Sequence, residues 1–461
     1  MTDLVNAFRN AVAAHQSAPA LIEGDGRVIS FAQLLRQAEG FAADLQRRGV
    51  QKGDRALIAM PVSADLYAAL AGLWMVGAVA VFPEPALGLK GLRHAVRVAR
   101  PKLLIATGWY KFLHFLPALW RVKLMRPSGR GTPTETALSG GDPALMSFTS
   151  GSTGLPKCIL RSHGFLMAQQ AAVAPLLKAD DARDLVAFPV FVLVGLAAGR
   201  CAVLPNWKLS QQGDVTGAEL VNWINQSGAT RLLLPPALCE RLGDVGVPAG
   251  VTDIFTGGGP VFPDVMRALA RQCRVTAVYG STEAEPIAEI LASDIAEADW
   301  TAMAQGRGLL VGRPVPAVDL RLDDDEVWVA GAHVNEGYLN PADDAANKVN
   351  EGGRIWHRTG DAGRLDPDGR LWLLGRHGAR VKLHDAWLYP FQIEVAARLW
   401  EGVRRAALVE VSGTPVLAVE ADEARDWPVP EGLELRVVRT IPMDARHASK
   451  VNLTALEAAL R

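Results

Sequence analysis

The sequence predicts an α/β protein, with a large N-terminal region of layered α/β subdomains, a β-rich part and a small α+β C-terminal domain. Three observations predict it. From residue 31 onward short apolar runs alternate with segments of helical period, the pattern of a largely parallel sheet covered by helices. Beyond residue 310 the pattern changes to short β segments separated by turns such as Asp366-Pro-Asp-Gly369. A length of 461 residues also exceeds what one ordinary core supports. We place the division between residues 1–375 and 376–461, with the β-rich part at 310–375 and the connection at Gly375-Arg-His-Gly-Ala-Arg380.

The elements follow in order. Residues 1–9 read as the start of a capped amphipathic helix, with charges too early for a secretory signal. Residues 31–48 carry apolar side chains at helical spacing, and Gly49 closes that helix. Arg55-Ala-Leu-Ile-Ala-Met60 is a buried strand, 64–76 a helix, 78–82 a strand, and 101–106 another. The aromatic run at 109–120, followed by Arg121, Lys123 and Arg126, fits a membrane-surface helix, or a helix packed on the core or beside a greasy substrate tunnel. Pro117 interrupts it and favours the packed reading. A helix is expected at 162–177, strands at 185–189, 232–235 and 253–256, and a strand at 275–278 delivering Tyr279-Gly-Ser-Thr-Glu283 at its C-terminal end, where open α/β sheets bind ligands.

Composition narrows the function. With 48 basic and 49 acidic residues the net charge is −1, and no basic run is long enough to direct the chain to nucleic acid or an anionic membrane. The four cysteines are scattered, with no metal-ligand spacing, which fits free thiols in a reducing cytoplasm. The apolar stretches 69–82 and 188–205 are too short or too interrupted to span a bilayer.

Chemistry concentrates in Ser147-Phe-Thr-Ser-Gly-Ser-Thr-Gly-Leu-Pro-Lys157. Gly151 and Gly154 let backbone N–H groups converge on an anion, Thr149, Ser150, Ser152 and Thr153 add hydroxyl donors, and Lys157 adds a positive charge. That is a phosphate grip, although not the Walker loop, whose lysine directly follows the glycine. Its flanks, 144–148 and 158–160, are apolar and strand-like, so the stretch is held between ordered elements rather than acting as a linker. The three glycines Gly257, Gly258 and Gly259 permit close approach of a flat ligand, or simply a tight turn.

Taken with Tyr279-Gly-Ser-Thr-Glu283, Arg358-Thr-Gly-Asp361, Gly375-Arg376 and the isolated Lys450, the glycine-rich stretch completes an ordered set over 31–450 that resembles the adenylate-forming superfamily of acyl-CoA synthetases, luciferases and peptide-synthetase adenylation domains. The resemblance implies ATP-dependent activation of a carboxylate to an acyl-adenylate with release of pyrophosphate, assisted by Mg²⁺. It implies that 149–157 holds the β- and γ-phosphates, that Thr282 donates to the α-phosphate, and that Glu283 is a hard oxygen ligand for Mg²⁺. Tyr279 would stack on adenine beside the Gly257–Gly259 turn, Asp361 would accept from the ribose hydroxyls, and Arg376 would bind ribose or phosphate. Lys450 would bridge the attacking carboxylate and the α-phosphate. Taken without the other motifs, Glu283 also reads as a favourable charge at a helix start, and Lys450 as a solvated surface lysine. His163, just after the loop, and His447, three residues before Lys450, are further candidates for substrate contact or for structural roles.

The acid and its acceptor are drawn from departures. Residues 188–199 carry no acidic partner for a substrate ammonium, which favours an uncharged, lipophilic acid, with Phe191, Val192 and Gly259 as candidate pocket walls or plain core, while Glu285 and Glu289 are possible ligands for a polar acid. Gly378 departs from the family pattern at the hinge, and Asp385 in the following loop that the resemblance implies is presented to a thiol acceptor after the small mobile domain rotates. The runs 279–287, 357–376, 388–390 and 442–450 resemble the β-lactone synthetases of bacterial olefin biosynthesis, in which a 3-hydroxyl of the acid itself displaces AMP. Three readings therefore stand: transfer to coenzyme A or a carrier-protein thiol, β-lactone closure, and nucleotide binding without turnover.

Overall fold

The computed structural model describes residues 3–83, 88–149, 156–177, 182–444 and 449–461. The chain forms two compact units: Met1–Gln211 with Asn222–Leu233 and Ala332–Lys348, and Gln212–Val221 with Leu234–Gly331 and Val349–Arg461. The expected division at 375/376 lies inside the second.

In the first unit a six-stranded sheet runs in the order Lys123–Met125, Leu103–Ala106, Arg55–Ala59, Val79–Phe82, Pro143–Thr149, Lys157–Ser162. Its pairs are parallel except the last, so the strands flanking residues 150–155 form an antiparallel pair with Thr149 opposite Lys157. Helices arise where apolar spacing meets a cap: Phe31–Arg47 starts at a Ser30/Gln33 capping box, and Ala64–Met75, between two parallel strands, at Ser63. On one face of the sheet Leu57, Val81, Leu104, Met146 and Phe148 are buried against Ala95 and Val96 of helix Gly88–Ala99. A second set of strands, Arg231–Leu234, Arg183–Val186, Cys201–Val203 and Pro19–Ile22, is parallel, with Val28–Ser30 antiparallel at its edge. Arg231 stands opposite Asp184 across adjacent strands and meets it in two hydrogen bonds of 2.8 and 2.9 Å, both side chains being buried.

The aromatic run departs from expectation. It is not a helix packed on the core: Gly108–Phe115 and Pro117–Leu119 are 3₁₀ turns, and no residue of the first is buried. Gly108 in the left-handed region and Pro117 delimit the longer turn.

In the second unit the strand order is Asp319–Asp323, Glu326–Ala330, Arg354–Leu365, Leu371–Arg376, Leu309–Pro314, Ala284–Leu291, Arg274–Ser281, Asp253–Gly257. The predicted Asp366-Pro-Asp-Gly369 turn joins two of these strands, its Asp366 carboxylate accepting from the N–H groups of Asp368 and Arg370. Toward the C-terminus a three-stranded sheet of Arg405–Val411, Thr414–Glu420 and Glu434–Val438 is covered on both faces. Alternation of period two explains how: Ala406 and Leu408 pack with Ile393 and Ala397 of helix Pro390–Ala397, while Ala407 and Val409 pack with Leu456 and Leu460 of helix Leu453–Leu460. Arg398 fixes this part to the preceding helices through Asp264 at 2.7 Å and Glu240 at 2.9 Å. No helix among the described residues is long and apolar enough to cross a membrane.

Candidate functional site

In the second unit, strands Arg274–Ser281 and Ala284–Leu291 form a hairpin with Ser281 opposite Ala284, so Thr282 and Glu283 are its two-residue turn. Glu283 therefore does not begin a helix, the alternative that its sequence position allowed. Tyr279, near the end of the first strand, donates its phenol to Asp361 Oδ2 at 2.8 Å. Asp361 Oδ1 lies 3.3 Å from Arg376 Nη1, which also donates to the Thr359 carbonyl at 2.9 Å. Burial, and then the adjacent Asp361 carboxylate, push the Tyr279 phenol well above its ordinary range, so it remains a donor. Asp361 in turn raises Arg376, with the charge of Glu283 adding to the effect. Four residues expected to handle nucleotide are thus one electrostatically coupled group.

Glu326, which sequence reasoning passed over, sets the Arg358-Thr-Gly-Asp361 segment. Its buried carboxylate accepts from Arg358 Nε at 2.8 Å and from the Gly360 N–H at 3.1 Å, while Thr359 Oγ1 donates to the Val327 carbonyl at 2.8 Å. The strand is pinned just before Asp361, which fixes where that carboxylate stands.

Lys450 lies on a short antiparallel strap. Met443 bridges Val451, the Asp444 N–H donates to the Lys450 carbonyl at 2.7 Å, and Asp444 Oδ1 accepts from the N–H groups of Ser449 and Lys450 at 3.0 and 2.8 Å. One carboxylate thus holds the backbone on which the exposed Lys450 side chain is carried. The buried Ser449 hydroxyl accepts from the Ala237 N–H at 3.3 Å, capping helix Pro236–Val245, whose own N-cap Pro235 has no side chain to do so. The glycine triplet lies beneath: a Cβ on Gly257 would come 2.4 Å from the Val278 carbonyl, and one on Gly259 would come 2.6 Å from Ser449 Cβ. The absent side chains make room for the protein's own strands and strap. Asp444 was visible in the sequence as a short acceptor six residues before Lys450, but Ser449 against Gly259 had no local signal.

In the first unit Lys157 donates to Asn347 Oδ1 at 3.0 Å and lies over the Tyr338 ring at 5.4 Å, partners far away in sequence. Ser150, Gly151, Ser152, Thr153 and Gly154 fall outside the described residues, as does His447, and the side chain of Thr149 is likewise not described. His163 opens helix His163–Val173 and is fully buried, edge-on to Trp74 at 6.0 Å, and burial lowers its pKa. Phe191 and Val192 lie on helix Pro189–Ala197, which follows the strand Arg183–Val186 found close to the expected 185–189. Val192 is fully buried, and it is Leu193, Leu196 and Ala197 that line a small apolar cavity with Leu4, Phe8 and Trp74.

Layered α/β units, a coupled phenol–carboxylate–guanidinium group beside a Thr-Glu hairpin turn, and a lysine held on a C-terminal strap define an adenylate-forming enzyme. The chain matches the AMP-binding enzyme family over residues 8–339 and belongs to it. Among curated proteins it is similar to two enzymes named olefin β-lactone synthetase. That of Stenotrophomonas maltophilia is 28% identical, the match covering 92% of this chain and 89% of the relative. That of Xanthomonas campestris is 30% identical, covering 85% and 80%. Among solved structures, the O-succinylbenzoate coenzyme A synthetase of Bacillus subtilis in complex with AMP has the same fold, with a TM-score of 0.82 at 18% identity over 99% of this chain and 98% of that one.

Proposed function

We propose that this chain activates an uncharged, lipophilic carboxylic acid with ATP: a carboxylate oxygen attacks the α-phosphorus, the bond to the β-phosphate breaks, and pyrophosphate leaves. The observation that carries the reading is the coupled group of Tyr279, Asp361, Arg376 and Glu283, together with the Asp444-held strap bearing Lys450. Asp361 has two oxygens, each already oriented by one protein donor, and each keeps a lone pair for a ribose hydroxyl. Tyr279 is assigned to the adenine, Arg376 to ribose or phosphate, and Thr282 to the α-phosphate. Residues 149–157 are assigned to the β- and γ-phosphates. The ammonium of Lys450 would stabilise the charge that spreads onto the phosphoryl oxygens, and its loss is expected to slow adenylation about 10²–10³-fold.

For Mg²⁺ the chain offers Glu283 and, among the described residues, no cluster of three ligating side chains. That fits an ion bound by one carboxylate together with substrate phosphates, which is how Mg²⁺ is usually held, and it would neutralise phosphate charge. We also propose residues 376–461 as a small mobile domain carrying Lys450, and a cytoplasmic setting for its free cysteines.

Two acceptors fit the acyl-adenylate. The names of the two curated relatives favour the acid's own 3-hydroxyl, closing a β-lactone. The fold shared with a coenzyme A synthetase favours a thiol, of coenzyme A or an acyl carrier protein. The test is incubation with ATP, Mg²⁺ and a panel of plain and 3-hydroxy acids, with and without coenzyme A, read by mass spectrometry. AMP with lactone in the absence of coenzyme A supports closure, and AMP with thioester supports transfer. Lack of AMP from every acid overturns the adenylation reading, and full activity in Lys450→Ala overturns the role given to Lys450.

A further inference from the structure

The balanced total charge conceals a segregated one. Residues 85–134 contain ten Lys and Arg and no Asp or Glu, in a chain whose net charge is −1. Among the described residues only Lys102 of those ten forms an ion pair, with Asp54. No long basic run is present, as expected, because these charges are spaced along the chain rather than run together.

The aromatic turn lies in the middle of this segment. Trp109 is 85% exposed, Phe115 70% and Trp120 64%, and Phe112 and Tyr110 are about half exposed. Exposed large apolar side chains elsewhere are scattered, so these five within twelve residues form a patch of the kind that marks an interaction surface. The 3₁₀ geometry aligns them. With three residues per turn, positions 109, 112 and 115 eclipse one another, whereas an α-helix would fan them apart. The rings touch accordingly: Trp109 and Phe112 are 5.4 Å apart, Phe112 and Phe115 stack at 6.3 Å, and Trp120 Nε1 donates to the Phe115 carbonyl at 2.6 Å. Leu113 and Leu116 point the other way, packing on the core with buried Leu119 and Val122. The ridge is thus a fixed platform. Lys111 lies over the Phe112 ring, and Arg121, Lys123 and Arg126 are exposed just beyond it.

We propose that this ridge is a peripheral docking surface for an anionic lipid bilayer. Aromatic rings on a rigid turn suit the headgroup level of a membrane, where their apolar bodies are covered and the Trp and Tyr polar tips stay wet. The basic side chains around them, outside ion pairs among the described residues, are attracted to anionic lipid and can keep their ammonium and guanidinium groups in the headgroup layer while their stems lie along the rings. The charge selects a negative surface, and the aromatic ridge selects one with a hydrocarbon edge. An anionic membrane has both. This inference does not depend on which acid or acceptor the enzyme uses.

The test is flotation of the full chain with vesicles of phosphatidylcholine alone, or with about a quarter of the lipid as phosphatidylglycerol, at low salt and at about 0.5 M salt. Binding to the anionic vesicles only, weakened by salt, is expected. Replacing Trp109, Phe112 and Phe115 together by Ser should lower the bound fraction about tenfold or more, and so should replacing Lys111, Arg121 and Lys123 by Glu. Both variants should keep the circular dichroism spectrum and the ATP-dependent pyrophosphate release of the parent. Failure to bind anionic vesicles, or binding that both variants retain in full, overturns the proposal. Capture of a purified acidic carrier protein by the ridge, with no vesicle binding, would make it a protein-docking site instead.

Discussion

The sharpest test of the Lys450 strap is a cycle at Gly259 and Ser449. Gly259 does not occupy the left-handed region, so its backbone accepts alanine, and the added methyl acts only through contact. That contact is 2.6 Å to Ser449 Cβ, with the Ser449 carbonyl at 3.3 Å, well inside van der Waals distance and against an atom fixed to the backbone. Overpacking of this kind costs about 1–3 kcal/mol unless the strap moves. Moving it displaces Lys450, the adjacent residue, and misplacement by about 1 Å is expected to slow pyrophosphate release about ten- to hundredfold. Ser449→Gly removes the clashing Cβ but also the cap on the Ala237 N–H, a loss of about 1 kcal/mol. The double variant should therefore be more stable than the two single changes predict by about 1–2 kcal/mol, and should recover much of the rate that Gly259→Ala loses. Urea unfolding gives the stabilities and carboxylate-dependent pyrophosphate release gives the rates. If the free energies add within about 0.5 kcal/mol and the rate of Gly259→Ala equals that of the parent, the contact does not position the strap.

Other consequences are as direct. Burial pushes the Glu394 carboxyl up to about 7, above its ordinary 4.5, while Oε1 accepts from the Leu408 N–H at 2.8 Å. Because the folded pKa is the higher, this stabilisation is full below pH 4.5 and is lost as the pH rises toward 7, by an amount on the order of 3 kcal/mol. Glu394→Gln keeps the acceptor and should flatten that part of the stability–pH curve. An unaltered slope in urea titrations between those pH values would show that another group is responsible. Arg231→Met leaves Asp184 buried without its partner and should cost about 3–5 kcal/mol, most of it restored by adding Asp184→Leu, as read by thermal or urea unfolding. Tyr279→Phe removes the donor to Asp361 Oδ2 and should raise the KM for ATP about tenfold with a smaller change in kcat. An unchanged KM would mean that the phenol does not orient the carboxylate.

What could be read from the sequence, and what could not, divides by range. Strands such as Arg55–Ala59 and Leu103–Ala106 and the helix Phe31–Arg47 were legible because apolar period, caps and glycines are local signals. The apolar flanks of the glycine-rich loop likewise proved to be the strands Pro143–Thr149 and Lys157–Ser162. Glu326 behind Asp361, Asn347 against Lys157 and Ser449 on Ala237 were not legible, since each pairs residues far apart in sequence and depends on the completed fold. At 109–120 a local signal was present but ambiguous. Aromatic residues three apart fit a buried helical face loosely and an exposed 3₁₀ ridge well, and only the backbone distinguishes the two.

The meeting of Asp361 with Arg376 shows how little separates a legible motif from a formed site. Counting outward from the Asp366–Gly369 turn, Leu365 faces Leu371, Arg364 faces Trp372 and Gly363 faces Leu373. Continued without interruption, that register would set Asp361 opposite Gly375 and leave Arg376 opposite Gly360. A shift between Ala362 and Gly363 instead places Ala362 opposite Gly375 and Asp361 opposite Arg376. Because successive side chains in a strand point to opposite faces, this single extra residue brings the guanidinium to the carboxylate's face. Gly375, with φ of 107° and close to Pro390, supplies the backbone conformation that few other residues adopt. The motif Gly375-Arg376 is therefore one device, in which the glycine makes the irregularity that delivers the arginine, and the Asp361–Arg376 ion pair depends on a bulge rather than on the strand's regular repeat.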